Sequence, residues 1–473
     1  MATKRIPFEE WLPDLPSTVG SLLDATNVYP VTVGYAPFPS AQNLSNASSD
    51  TLNNVFAAKF NLSTQLFSGS STKLYKFNTT TLNLDDISKS GGYSGANKWS
   101  FTQFGNVVLA SNGVSKVQAW TVGTSTAFAD LAAAAPIARF ITVVRDFVVT
   151  ANLDSYPNKL QWSDINDETN WTSGAASQSD YQIIAEGGNI VGISGGEFGL
   201  VLLEKAIVRM SYVGSPYFFQ FDTISRNLGC NTAGSITQYG GTTYFLADNG
   251  FYACDGTNII PIGNSKVDDF FYENMNVSQQ ETISSAVDPI RNIVVWNYPN
   301  TNGGRSMLVY NWILKKWSLL ETTTSYIASL ASTDITLEGL DAYGTIENLP
   351  ASMDDRIWAG GKFLFGGIQS NKIVTFTGTN TTAILTVGDL EFGYNSVVTL
   401  GRAQIDLGSC QIAIASRRAL DGTVTYSTAA SASSEGRVPL RSAGRYHRVR
   451  VTPTGSWKHA ISVDVDYEEQ GNR

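Results

Sequence analysis

Cysteine and histidine are scarce. Of 473 residues, three are cysteine (Cys230, Cys254, Cys410) and two are histidine (His447, His459). Thiols so few and so far apart exclude a disulfide framework and a structural zinc site. Charge is also sparse: Asp, Glu, Lys and Arg make up 15% of the chain, against about 25% in an average soluble protein. No run approaches the ~18 uninterrupted apolar residues of a membrane-spanning helix. The opening Met1-Ala-Thr-Lys-Arg-Ile-Pro has no apolar core of signal-peptide kind, so the chain is expected to be made inside the cell and to span no membrane. A net charge of −9 makes the whole chain a poor nucleic-acid binder.

What is abundant is turn-forming and strand-forming. The 42 glycines, 20 tyrosines, 23 phenylalanines and 10 tryptophans point to an all-β protein with many turns. One unit recurs: a turn, a short apolar strand, a second turn and a second strand. It is seen at Phe104–Trp120, Arg145–Trp162, Phe198–Tyr212, Thr242–Ala253, Arg291–Tyr310 and Lys362–Phe376, with Lys73–Ile87 as a seventh candidate. Marks at Phe104, Arg145, Phe198, Tyr239, Arg291 and Gly361 are 41 to 70 residues apart. That spacing fits the blades of a β-propeller, six or seven in number. Strands apolar at nearly every position, such as Gly199–Leu203, are what radial stacking demands, because each blade is covered on both faces.

The ends differ from this middle. Six of the 15 prolines (Pro7, Pro13, Pro16, Pro30, Pro37, Pro39) lie in residues 1–60, so this segment is expected to be an extended arm. With anchors such as Trp11 and Tyr35, it would lie across its own domain or a neighbouring subunit. Its loss is expected to leave the propeller folded. Residues 61–380 are assigned to the propeller, with 322–353 as an insertion loop. Residues 381–473 are expected to form a small β-sandwich-like platform. Residues 401–473 carry net +3 while residues 1–400 carry −12. Arg437, Arg441, Arg445, Arg448 and Arg450 give that platform a basic stripe, suited to DNA phosphates or, equally, to an acidic protein surface.

Catalytic patterns are weak. Gly192-Ile-Ser194-Gly-Gly196 fits a nucleophile elbow but runs into a strand where that motif needs a helix. The loop Trp162-Ser-Asp164-Ile-Asn166-Asp-Glu168-Thr-Asn-Trp171 alternates oxygen ligands as a calcium loop would, yet lacks the glycine and distal glutamate, and a pinned turn accounts for it. Asp164, Glu204, Asp248 and Asp255 could flank a sugar bond, but nothing in their spacing selects a pair. Tyr212, Tyr217, Phe218 and Phe219 could stack on sugars or fill a blade core. No catalytic residue, metal or cofactor is expected.

Several strings occur in an order that resembles tail nozzle (tail hub) proteins of short-tailed bacteriophages, the packaged-DNA stabilisation type. They are Trp11-Leu-Pro-Asp-Leu-Pro16, Asp24-Ala-Thr-Asn-Val-Tyr-Pro30, Gly34-Tyr-Ala-Pro-Phe-Pro-Ser40 and the tryptophan-bracketed Trp162 to Trp171. To these are added Asp248-Asn-Gly-Phe-Tyr252, Pro261-Ile-Gly263, Leu308-Val-Tyr-Asn-Trp312, Gly444-Arg-Tyr-His-Arg-Val-Arg450 and Asp464-Val-Asp-Tyr467. The resemblance implies a non-enzymatic virion protein that forms a homohexameric ring below the portal and adaptor. Such a ring, assembled in the host cytoplasm, lines and closes the DNA-ejection channel, retains packaged DNA, touches DNA transiently and offers sites to tail fibres or spikes. Trp11, Tyr35 and the five arginines would then be contacts between subunits or to the adaptor. The alternative is a propeller lectin or receptor-binding tail protein recognising a host surface glycan; a propeller glycosidase is the third reading.

Overall fold

A computed structural model describes residues 2–61, 63–95, 98–333, 345–349 and 361–470. Among these the regular structure is nearly all β, with one short α-helix, α1 (Asp268–Asn274), and a few 3-10 turns.

Six separate four-stranded antiparallel sheets form a β-propeller. The first five span Asn54–Asp86, Ser100–Asp130, Ala138–Ile183, Ile190–Ser225 and Thr237–Pro261. The sixth joins Tyr326–Ala331, Phe363–Gln369 and Lys372–Thr375 to Gln42–Asn43 from the start of the chain, so a segment near the N-terminus supplies its outer strand. Between the fifth sheet and this last one, Ser284–Thr322 forms a four-stranded meander of the same kind. It completes the ring and continues into a larger sheet through a parallel bridge between Thr26 and Leu319. Six sheets stand alone and a seventh meander is shared with the larger sheet, within the expected blade number of six or seven.

Apolar layers between neighbouring blades hold the ring. Leu109 and Val117 face Ile141 and Val148, Leu200 and Leu202 face Phe245 and Cys254, and Leu330 and Leu364 face Leu66 and Tyr75 where the ring closes. Six of the repeats read from the sequence coincide with the two middle strands of a blade; the seventh, Lys73–Ile87, covers the third and outer strands of the first blade. The Tyr326–Ala331 segment, expected within an insertion loop, is instead the innermost strand of the last blade. The rest of the expected loop falls mostly outside the described residues.

The platform is built from both ends of the chain. In the order of pairing it runs Leu22–Thr26, Ile384–Val387, Val438–Thr454, Leu390–Ile405, Ala460–Glu469, Tyr35–Pro37 and Val28–Pro30. Ala2–Pro7 pairs with Ala460–Glu469, and Ser409–Arg417 pairs with Val438–Thr454. Hydrogen bonding is continuous, so this is one sheet rather than two separate ones. The long strands Leu390–Ile405 and Val438–Thr454 carry register shifts and pair with different partners along their lengths, and bulges of this kind bend a sheet. Val398, Ile412, Val449, Val451, Val463 and Val465 are buried inside it. Gly34 is needed at its turn: φ is +75°, and a Cβ there would lie 2.0 Å from the Ala460 carbonyl oxygen.

The arm also fixes the joint between platform and propeller. Asp14 accepts from the backbone N–H groups of Asp269 (3.1 Å) and Phe270 (2.8 Å), capping α1 from outside the helix. Lys266 pairs with Glu10 at 2.6 Å. Beneath this joint, burial pushes the Asp268 carboxyl up to about 7, against the lowering effect of the Phe251 N–H; Asp14 and Asp269 raise it further. A raised carboxyl value means that the native state keeps a proton the unfolded chain releases, so this contribution is present at low pH and is lost as pH rises through 7. Asp268→Asn should therefore be more stable than wild type above that pH, by roughly 2 kcal/mol, with the difference closing in acid. Urea unfolding of both chains on either side of the transition checks this; a difference independent of pH would count against it.

Candidate interaction surface

Trp11 and Tyr35 are buried, 2% and 0% exposed. The Trp11 N–H donates to the Tyr35 hydroxyl (3.1 Å), which donates to the Glu9 carbonyl (2.9 Å), and the Trp11 indole donates to the Leu23 carbonyl (3.0 Å). Both expected contact residues are thus platform core of their own chain. Burial drives the Tyr35 hydroxyl value far upward, so it stays protonated. The arm covers its own domain in short strands, and Pro7, Pro30 and Pro37 each fall at the end of one, where a missing N–H is tolerated.

The arginine stripe is placed as alternation predicts, with Arg448 and Arg450 partly exposed and alternating with the buried Val449 and Val451. Most of its charge is matched. Arg448 makes two 2.9 Å contacts to Asp389, and Arg417 reaches the same carboxylate at 2.5 Å. Ser17 of the arm donates to it as well, at 2.5 Å. Burial pushes the Asp389 carboxyl up, but the hydrogen bonds from Arg448, Ser17 and Arg417 outweigh that and hold it below its ordinary value. Arg450 lies 3.9 Å over the Tyr426 ring and 3.9 Å from Asp24. Arg445 pairs with Glu391 at 2.7 Å, and Arg437 with Glu435 at 3.5 Å. Among the described residues Arg441 is exposed with no ion-pair partner, as is Arg418, a residue that the sequence pattern did not single out. The stripe therefore reduces to Arg418 and Arg441 as available charge.

The other sequence candidates are structural. Ser194 is a buried strand residue sharing a 2.8 Å hydrogen bond with Thr243. His447 is buried in the platform between Ser396 (2.8 Å) and Ser416 (2.6 Å), and burial lowers its value, keeping it neutral. The Asp164 carboxylate is occupied by the N–H groups of Ile165 and Gln178 and by Asn170, so the loop is a pinned turn. Asp255 caps its own turn through Thr257 and Asn258. Phe219 packs in a blade core against Phe147 and Trp162, whereas Tyr217 is 79% exposed. Among the described residues, no group of three His, Cys, Asp or Glu side chains is arranged to hold a metal.

What sequence reasoning missed lies at one mouth of the propeller's central channel. The N-terminal ends of inner strands converge there on a cavity of about 260 Å³ lined by Asn54, Phe56, Lys98, Phe101, Arg139 and Ser285, with others. The Phe56 and Phe101 rings stack at 5.5 Å. Lys98 donates to the carbonyls of Glu281 (2.5 Å) and Ile283 (3.3 Å), and Arg139 pairs with Glu281 at 3.3 Å. These residues are far apart in sequence, and only ring closure brings them together.

No protein-family model matches the chain, and neither does any curated protein. Solved structures do. A computationally designed protein, Ika8, is 10% identical with a TM-score of 0.38 and aligns over 78% of this chain and all of its own. BBS1N, in its complex with ARL6DN, is 9% identical with a TM-score of 0.41, over 73% of this chain and 96% of its own. A functionally unknown protein from Desulfotomaculum acetoxidans DSM 771 is 11% identical with a TM-score of 0.36, over 60% of this chain and 92% of its own.

Proposed function

We propose that the protein is a structural subunit of a short bacteriophage tail, the nozzle or hub, which assembles as a homohexamer below the portal and adaptor. In this role it forms and closes the DNA-ejection channel, retains packaged DNA and belongs to the virion tail. The observation that carries the reading is the platform: both chain ends are woven into one sheet that continues into the propeller. A ring subunit under the load of packaged DNA needs such a rigid body. The order of the sequence motifs, from the arm to the C-terminal arginines, supports the same family.

Charge supports it too. A chain of net −9 offers a wall that repels DNA phosphates and lets DNA slide. Arg418 and Arg441, exposed and unpaired among the described residues, can meet acidic surface on a neighbouring subunit or on the adaptor. A ring contact is heterologous, so the two faces of one subunit need to be complementary rather than alike. The test is assembly on a template. Mixed with portal and adaptor, the wild-type chain should form six-fold rings, and the Arg418→Glu/Arg441→Glu chain should form far fewer at equal concentration. Rings formed equally by both chains would remove the two arginines from the interface; no ring on the adaptor would overturn the reading.

A further inference from the structure

Three cations converge on one short turn at the mouth of the propeller channel, and the turn returns a single carboxylate. Lys98 donates to the carbonyls of Glu281 (2.5 Å) and Ile283 (3.3 Å). Arg139 pairs with the Glu281 carboxylate at 3.3 Å. Arg305 donates to the Thr282 hydroxyl (3.1 Å) and carbonyl (2.9 Å) and to Asn297 Oδ1 (3.1 Å), all neutral acceptors. Carbonyl, amide and hydroxyl oxygens fix these cations in place without cancelling their charge. Lys98, Arg139 and Arg305 against Glu281 leave an excess of two positive charges, in a chain whose net charge is −9. Even that one carboxylate is 77% exposed, so water screens much of its effect. Among the described residues no other acid lines the cavity.

Lys98 and Arg139 both line the cavity of about 260 Å³ and keep donors for a ligand. Lys98 uses two of its three N–H donors on carbonyls, and Arg139 uses one of its five on Glu281. The walls are the stacked rings of Phe56 and Phe101 and the ring of Phe140, over which the Arg139 guanidinium lies at 5.3 Å. Apolar walls lower the local dielectric and strengthen the attraction for an anion that enters. A dianion cancels the excess charge, whereas a monocarboxylate cancels half of it and a neutral ligand none. A tetrahedral oxyanion also presents acceptors in several directions, which suits donors arriving from a blade connection and from an inner strand.

We propose that the channel mouth binds a doubly charged tetrahedral oxyanion, of the phosphate and sulfate class, held between Lys98 and Arg139 with Arg305 behind them. A free ion and the terminal phosphoryl group of a larger molecule share this chemistry. Binding needs neither a ring of subunits nor another protein. It is therefore independent of the tail reading and can fail or hold without it.

The test is calorimetric titration of the full chain with sulfate and with inorganic phosphate at low ionic strength, with acetate as the comparison. Sulfate and phosphate should bind and acetate should not. Arg139→Gln should weaken binding by about tenfold or more, as loss of a hydrogen bond to a charged group does. Glu281→Gln should strengthen it several-fold, because it removes the competing carboxylate and frees Arg139. That side chain is exposed, so this variant keeps the test sound if Arg139→Gln folds poorly. A Glu281 that only pinned the turn would not raise affinity when replaced. Affinity for sulfate, which keeps its charge across the range, should fall as pH rises through about 8: burial lowers the Lys98 ammonium to that value, Glu281 raises it, and Arg305 and Arg139 lower it further. Glycerol 3-phosphate separates the sources, since binding equal to phosphate assigns the site to a terminal phosphoryl group and binding of the inorganic ions alone assigns it to a free ion. No binding of sulfate or phosphate, acetate bound as tightly as either, or an affinity unchanged by Glu281→Gln would overturn the assignment.

Discussion

Asp389→Ala is expected to destabilise the platform by about 3–5 kcal/mol, because it strips the shared counter-charge from two arginines that the fold has largely removed from water. The carboxylate side chain is 1% exposed, and Arg417 and Arg448 are 10% and 19% exposed. Ser17 would lose its acceptor in the same step, loosening the arm from the strand that opens at Leu390. Replacing the carboxylate together with both arginines by apolar residues of similar volume should recover much of the loss, since a buried ion pair contributes less than its breakage costs. Chemical denaturation followed by tryptophan fluorescence measures both. A loss of under about 1 kcal/mol for Asp389→Ala would place the cluster among ordinary surface pairs and contradict its burial.

Trp11→Ala should cost a similar amount, about 3–5 kcal/mol, by opening a cavity where the arm meets the propeller. Trp11 packs edge-on against Phe270 of α1 at 5.1 Å and is 2% exposed. Deleting residues 1–60 outright should do more: it removes the edge strand Ala2–Pro7, the Leu22–Thr26 strand that meets the propeller meander, and the Gln42–Asn43 strand of the last blade. It also takes away Asn54–Phe60, the inner strand of the first blade. The truncated chain is expected to lack a cooperative unfolding transition, in contrast to the folded propeller anticipated from the sequence. A truncated chain that melts like wild type would return the arm to the role of a docking tail.

The parts of this architecture that could be read in advance are those whose burial leaves a mark on composition. The second strand of each blade is covered on both sides, so Phe147–Leu153 and Gly199–Leu203 are apolar almost throughout and stand out. Inner strands such as Ser100–Phe104 are half-buried at every position, and outer strands such as Asp180–Ile183 are exposed at every position; neither carries a period. Tyr326–Ala331 is an inner strand without strict alternation, buried at Ile327, Ala328 and Leu330, and so reads as loop. The arm was legible as extended but not as core, because its partners lie hundreds of residues away: Ala2 pairs with Tyr467. The arginines are legible as a stripe, while the carboxylates that neutralise them sit elsewhere: Asp24 and Glu391 on other strands and Asp389 in the turn before Leu390. The channel mouth left no local signal, since Asn54, Lys98, Arg139 and Ser285 come from four different blades or their connections.

The most direct test of the proposed role is a cryo-EM map of the protein in place on a particle that contains it. The expected map shows six copies around a central channel below the portal and adaptor, with Arg418 and Arg441 at a contact between subunits or to the adaptor. A single copy at a fibre tip, or a protein bound off the axis of the particle, would contradict it.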